Sequence, residues 1–201
     1  MNPRSISGYK PRKSPGPTLP YKICLMSTSE PFIRKASPDD AELITELGAR
    51  TFLDAFGPDN NPADMEEYLT SAFNPAQIAS ELADPGSTFL LAYIAEKPIG
   101  YAKLQAGKAP ECVSGAKPIE LFRIYVEQSL TGKGYGAALM EACIKEAWQM
   151  GYETLWLGVW EHNERAQAFY RKWGFMQVGY KKFTIGGDVQ HDFVMARSTK
   201  P

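Results

Sequence analysis

Glu120-Leu121-Phe122-Arg123-Ile124-Tyr125-Val126 is followed, after four residues, by Thr131-Gly132-Lys133-Gly134-Tyr135-Gly136. The first run is rich in apolar, aromatic and β-branched residues and reads as a strand. The second is a glycine-rich turn. A helix is expected from about Gly134 to Met150, with Leu139, Cys143, Ala147 and Met150 on one face and Gly151 in the C′ position. Leu155-Trp156-Leu157-Gly158-Val159-Trp160 is then a nearly continuous apolar run, the pattern of a strand buried on both faces. A strand–turn–helix–strand unit of this kind makes its two strands parallel, with a right-handed crossover.

Outward from this centre the chain changes character. Towards the C-terminus, Asn163 caps a helix whose Ala166, Phe169, Tyr170 and Trp173 keep one face, and Gly174 ends it. Strands near 176–185 and 190–197 follow, split by Gly186-Gly187. Towards the N-terminus, strands near 88–95 and 98–106 form a hairpin around Glu96-Lys97. Before them lie helices near 38–56, 62–72 and 75–83, begun by Ser37-Pro38, Asn61-Pro62 and Asn74-Pro75. Gln77 is placed to reach back to its cap. A short strand at Phe32-Ile33-Arg34-Lys35 opens the domain. The expected class is α/β: a mixed sheet with one parallel pair between antiparallel hairpins, covered by helices.

Residues 1–30 carry Pro, Gly and cations without periodicity and read as a flexible leader, and Met26 is an alternative start. Residues 31–201 then form a single domain. Lys plus Arg (22) nearly balances Asp plus Glu (23), which gives no reason to expect nucleic acid or an anionic membrane as partner. No apolar run approaches a membrane span, and no signal-peptide centre is present, so cytoplasm is the default. Cys24, Cys112 and Cys143 are far apart, and His162 and His191 are the only histidines, so neither a disulfide framework nor a metal site is expected.

The glycine turn carries the chemistry. Its glycines let main-chain N–H groups approach a ligand, the helix start adds partial positive charge, and Lys133 adds a full one. A phosphate or pyrophosphate suits such a site. A Walker loop is excluded, because Gly134 rather than Ser or Thr follows Lys133. Gly132-x-Gly134-x-x-Ala137 matches a dinucleotide fingerprint. However, it follows its strand late, and Glu153 begins the next strand instead of ending it. A tight turn without a ligand is the remaining alternative.

These residues resemble the GNAT superfamily of N-acetyltransferases, over roughly residues 32 to 197. Gly134 and Gly136 fall on the two glycines of its Gln/Arg-x-x-Gly-x-Gly/Ala loop. Thr131 stands where Gln or Arg is usual, a departure that bears on any side-chain contribution to pyrophosphate binding. Asn163 through Tyr170 to Trp173-Gly174-Phe175 resembles the second signature, an Asn followed by a helix ending in Phe-Tyr-x-x-x-Gly-Phe. The wording Trp156-Leu157-Gly158-Val159-Trp160-Glu161-His162-Asn163 is similar to the PaiA-like branch, which is associated with acetylation of spermidine, spermine and related amines.

The resemblance implies a GNAT-type mixed, mostly antiparallel sheet whose parallel pair splays around acetyl-CoA, with helices on both faces. It implies cofactor contacts from Ile124, Tyr125 and Val126, from Thr131, Gly132, Lys133, Gly134, Tyr135 and Gly136, and from Asn163, Ala166, Phe169 and Lys172. Tyr170 corresponds to the residue that protonates or orders the departing sulfur, with a core aromatic as the alternative reading. Glu120 corresponds to a general base, on the strand face shared with Phe122, Ile124 and Val126, or it makes a strand-end salt bridge. Asn163 is also explained by capping alone, and His162 and His191 read as surface residues. Phe52, Asp54 and Phe56 face the acceptor pocket in this reading.

The implied reaction is acetyl transfer from acetyl-CoA to a primary amine, a polyamine or another small amine, by direct attack on the thioester. The alternatives are an acyl-CoA-binding regulatory module without turnover and an enzyme acetylating a peptide or protein amine. A homodimer is common in the family.

Overall fold

The computed structural model describes residues 30–200. All of the expected leader except Glu30 therefore lies outside the described residues. The elements are β1 (Phe32–Lys35), α1 (Ala41–Phe56), α2 (Pro62–Ala72), α3 (Pro75–Ala83), β2 (Ser87–Ile94), β3 (Lys97–Ala106), β4 (Pro118–Val126), α4 (Tyr135–Gln149), β5 (Thr154–Trp160), α5 (Glu164–Lys172), β6 (Met176–Ile185) and β7 (Asp188–Ser198). Short 3-10 turns occupy Pro38–Asp40, Gly57–Asp59 and Gln128–Leu130.

The strands form one sheet in the order β1-β2-β3-β4-β5-β7-β6. Only β4 and β5 run parallel, because α4 carries the chain across between them. Every other neighbouring pair is antiparallel. Each face buries its own core. On one, Leu139, Met140, Cys143 and Ala147 of α4 meet Ile119, Leu121, Leu155 and Leu157, with Ala166, Phe169 and Tyr170 of α5 and Trp173 at its C-cap packed beside them. On the other, Ile44 and Leu47 of α1, Met65 of α2 and Ile78 of α3 meet Phe89, Leu91 and Tyr101. No helix among the described residues is long and apolar enough to cross a membrane.

Local chemistry sets the helix ends. Asn61 Oδ1 accepts from Ala63 N–H (2.8 Å), and Asn74 Oδ1 accepts from Gln77 N–H (2.9 Å). The Gln77 amide does not reach back as expected; it donates to Glu81 (3.1 Å), one turn ahead on its own helix. Asp40 takes the Ser37 N–H (2.7 Å) and hydroxyl (3.1 Å), which tightens Pro38–Asp40 into a 3-10 turn before α1. The expected helix over 38–56 is thus divided. Met150 is 37% exposed, off the face assigned to it, because α4 stops at Gln149 and Gly151 turns away at φ +84°.

One irregularity reverses an expectation. Lys103 pairs with Arg123, but the next residue, Leu104, pairs with Leu121. Phe122 is the extra residue of a β-bulge, and side chains alternate with period two, so the alternation changes phase there. Ile119 and Leu121 share the α4 core with Ile124 and Val126. Glu120 lies on the opposite face, the side of Tyr125 and the α1–α3 core. It does not share a face with Ile124 and Val126.

Candidate active site

Pairing between β4 and β5 covers only Pro118 to Glu120 against Thr154 to Trp156. Beyond Glu120 and Trp156 the strands diverge, although β4 stays paired to β3 through Val126 and β5 to β7 through Trp160. The divergence leaves one edge of Leu121–Val126 without a neighbour strand, and its main-chain polar groups need another partner.

The glycine loop supplies donors next to this gap. Gly132 and Gly134 adopt φ +80° and +92°, the left-handed region that favours glycine. The first bond of α4 runs from Ala138 N–H to Gly134 C=O (3.1 Å). Before it, the N–H groups from Gly132 to Ala137 meet no acceptor among the described residues. Gly136 has no positive φ, and no described atom lies within 4 Å of a Cβ built there. Packing within the chain therefore does not require glycine at this position, whereas close approach of a phosphate does. The donor set fits the pyrophosphate of CoA. Lys133 is exposed beside it. The Thr131 hydroxyl donates instead to Gln128 C=O, so its side chain closes the local turn. The Tyr135 side chain is buried in the α4 core, which leaves that residue only its main chain to offer.

A cleft of about 110 Å³ opens at the divergence. Tyr170, Asn163, Glu120, Ile124 and Tyr125 all line it. Asn163 Oδ1 caps α5 by accepting from Ala166 N–H (3.0 Å), while its amide NH₂ has no acceptor among the described residues. Burial, followed by nearby Cys143 and Asp192, raises the Tyr170 pKa, so the phenol stays protonated at neutral pH. A protonated phenol at the opening is a proton donor in waiting. Ala166 and Phe169 pack inward against the core, and Lys172 is exposed.

The wall of the cleft opposite α4 is aromatic. Phe52, Phe56, Tyr68 and Phe183 line it. Asp54 is exposed and points elsewhere, because it lies two residues from Phe52 on a helix whose cleft face repeats every four. The Tyr125 ring joins this cluster, 6.1 Å from Phe52 and 6.4 Å from Phe56, so only its main chain remains on the cofactor side. Glu120 Oε1 accepts from Lys181 Nζ at 2.8 Å. His162 and His191 are exposed and lie 4.0 and 3.8 Å from Glu161.

Sequence reasoning missed Lys181 and Asp192. Asp192 is 7% exposed, lines the cleft and has no hydrogen-bond donor among the described residues. Burial, with Glu120 and Glu161 adding to it and Lys181 opposing, pushes its carboxyl up to about 6. The available signal was a carboxylate directly before the apolar run Phe193-Val194-Met195.

Residues 49–175 match the family model described as "Acetyltransferase (GNAT) family". An uncharacterized N-acetyltransferase in the pepI 3′ region of Lactobacillus delbrueckii subsp. lactis is 33% identical over 166 residues, 83% of this chain and 96% of that one. An uncharacterized N-acetyltransferase of Mycobacterium tuberculosis is 33% identical over 158 residues, 79% of this chain and 97% of that one. Among solved structures, the PaiA N-acetyltransferase of Thermoplasma acidophilum in complex with coenzyme A superposes with a TM-score of 0.65 at 22% identity, covering 84% of this chain and 99% of that chain. The fold is that of known acetyltransferases, and the chain belongs to the GNAT family of N-acetyltransferases.

Proposed function

We propose that the chain transfers the acetyl group of acetyl-CoA to a primary amine, a polyamine or another small amine, by direct attack on the thioester. The observation that carries this reading is the end of β4–β5 pairing at Glu120 and Trp156, with Tyr170 lining the opening. When bound, acetyl-CoA supplies an activated acyl carbon and a thiolate leaving group.

The chain's own residues divide the remaining work. N–H groups from Gly132 to Gly136, with Lys133, hold the pyrophosphate. Main-chain groups of Ile124 and Val126 align the pantetheine arm and polarise the thioester carbonyl, an oxyanion-type role. The free Asn163 amide steadies the same arm, Ala166 and Phe169 form the floor beneath it, and Lys172 stands at the phosphate rim. Tyr170 gives its phenolic proton to the departing sulfur. Glu120 acts on the acceptor side, as a carboxylate that keeps Lys181 in place.

A small acceptor suits a cleft of about 110 Å³, and the aromatic wall suits a cationic amine. Release of free CoA, followed across spermidine, spermine, lysine and aryl-alkyl amines, tests the reading. Turnover with at least one amine is expected. Tight acetyl-CoA binding with no turnover on any amine would favour a regulatory module instead.

A further inference from the structure

The acceptor side of the cleft carries four charged side chains: Glu120, Arg123, Lys181 and Asp192. Three are paired. Glu120 takes Lys181 at 2.8 Å, and Arg123 Nη1 donates to Glu81 at 2.8 Å. Asp192 alone has no donor among the described residues, although it is only 7% exposed. An unpaired, largely desolvated carboxylate is costly, and a cationic partner removes the cost. The missing side chain of Gly158 makes room for Lys181 next to this carboxylate. A Cβ at Gly158 would stand 2.9 Å from Asp192 Oδ2 and would run into Lys181 Cε.

We infer that Asp192, rather than Glu120, receives the acceptor's ammonium group and takes its proton. The inference rests on the acetyltransferase reading of the cleft and deepens it. One proton passes from R–NH₃⁺ to an Asp192 carboxylate oxygen, leaving a neutral amine with a free lone pair and a neutral carboxyl. Attack forms the C–N bond and breaks the C–S bond, the second nitrogen proton restores the phenol that protonated the sulfur, and the Asp192 proton returns to water once the neutral amide has left. Glu120 is less suited to this step because its charge is already balanced by Lys181. The charged and titratable groups facing Asp192 are Glu120 of β4, Lys181 of β6, Glu161 before α5, Tyr170 of α5 and Tyr68 of α2. Only Lys181 among them opposes protonation of the carboxylate.

The test compares Asp192→Asn, Glu120→Gln and wild type, with spermidine, lysine and an alanine-led peptide as acceptors. Initial rates are taken from pH 5 to 9, and acetyl-CoA affinity is measured by calorimetry. For Asp192→Asn, kcat/KM should fall roughly 10²-fold or more and the acid limb near pH 6 should disappear, while acetyl-CoA affinity stays within about twofold. Glu120→Gln should retain an acid limb, moved to lower pH, because Asp192 is still present. Thermal unfolding of the isosteric Asn variant checks that it is folded. An Asp192→Asn enzyme with the wild-type rate and acid limb overturns the inference while leaving the acetyltransferase reading intact. A wild type that binds acetyl-CoA but turns over none of these amines overturns both.

Discussion

Lys181 donates to Glu120 at 2.8 Å across the open end of the sheet, yet it forms no ion pair with Asp192, its partner in the β6–β7 ladder. Two carboxylates therefore compete for one ammonium, and Glu120 holds it. Removing the Glu120 charge frees Lys181 to neutralise Asp192 and also removes a negative neighbour. Both changes lower the Asp192 pKa. In Glu120→Gln the acid limb of kcat/KM should survive but move below the wild-type position near 6, and the plateau should fall, because Lys181 then competes with the substrate ammonium for Asp192. If the acid limb is lost altogether in Glu120→Gln and kept in Asp192→Asn, Glu120 is the base.

Tyr170→Phe removes one hydroxyl from the cleft and leaves the ring packed against the core. We expect kcat to fall by roughly one to three orders of magnitude. Acetyl-CoA affinity should change little, because the phosphate donors sit on the glycine loop. Steady-state rates and calorimetry on the same preparation separate the two effects.

The glycine loop allows a paired prediction. Gly134→Ala forces a side chain into φ +92° and should cost about 1–2 kcal/mol of stability. Gly136→Ala meets an ordinary helical backbone and open space, so stability should hold or rise by about 0.4–1 kcal/mol. Its methyl group nevertheless projects where the phosphates are expected. The KM for acetyl-CoA should rise in the more stable variant. Equal losses of stability in both variants would remove the ligand argument for Gly136.

How much of this was visible in the sequence depends on the range over which each feature is set. The loop and α5 were legible because positive-φ glycines and an Asn cap act on their own neighbours. The central parallel pair was legible because a helix crossover permits nothing else. The phase of Glu120 was not, because no glycine or proline marks the bulge at Phe122. The bulge depends on β3, whose register is set elsewhere in the chain. Asp192 was not legible either. Its unpaired state depends on Gly158, Lys181 and Glu120, three residues on three different strands.

Behind the bulge, Glu81 serves two buried cations, Lys103 at 2.9 Å and Arg123 at 2.8 Å. Lys103 and Arg123 side chains are 4% and 5% exposed, so neither can turn to water. Glu81→Gln leaves both charges without a counter-ion and should cost about 3–5 kcal/mol. The loss should appear as a lower urea midpoint at unchanged slope. Because Arg123 lines the cleft, acceptor KM should rise as well.

Asp192 gives the last prediction, in which stability and activity move oppositely. Its folded-state pKa is raised from 3.8 to about 6. Between those values the native chain binds more protons than the unfolded one, so stability falls as pH rises. The favourable contribution is complete below about pH 4 and gone above about pH 6, a span of up to about 3 kcal/mol. Asp192→Asn removes the ionisable group. The variant should therefore unfold at a higher temperature than wild type at pH 8, and the difference should shrink towards pH 4. A bound amine should raise the wild-type melting temperature at pH 8 and leave that of the variant nearly unchanged, because the ammonium supplies the partner the carboxylate lacks. If the variant is instead less stable than wild type at pH 8, Asp192 already has a partner within the fold and is not waiting for a substrate.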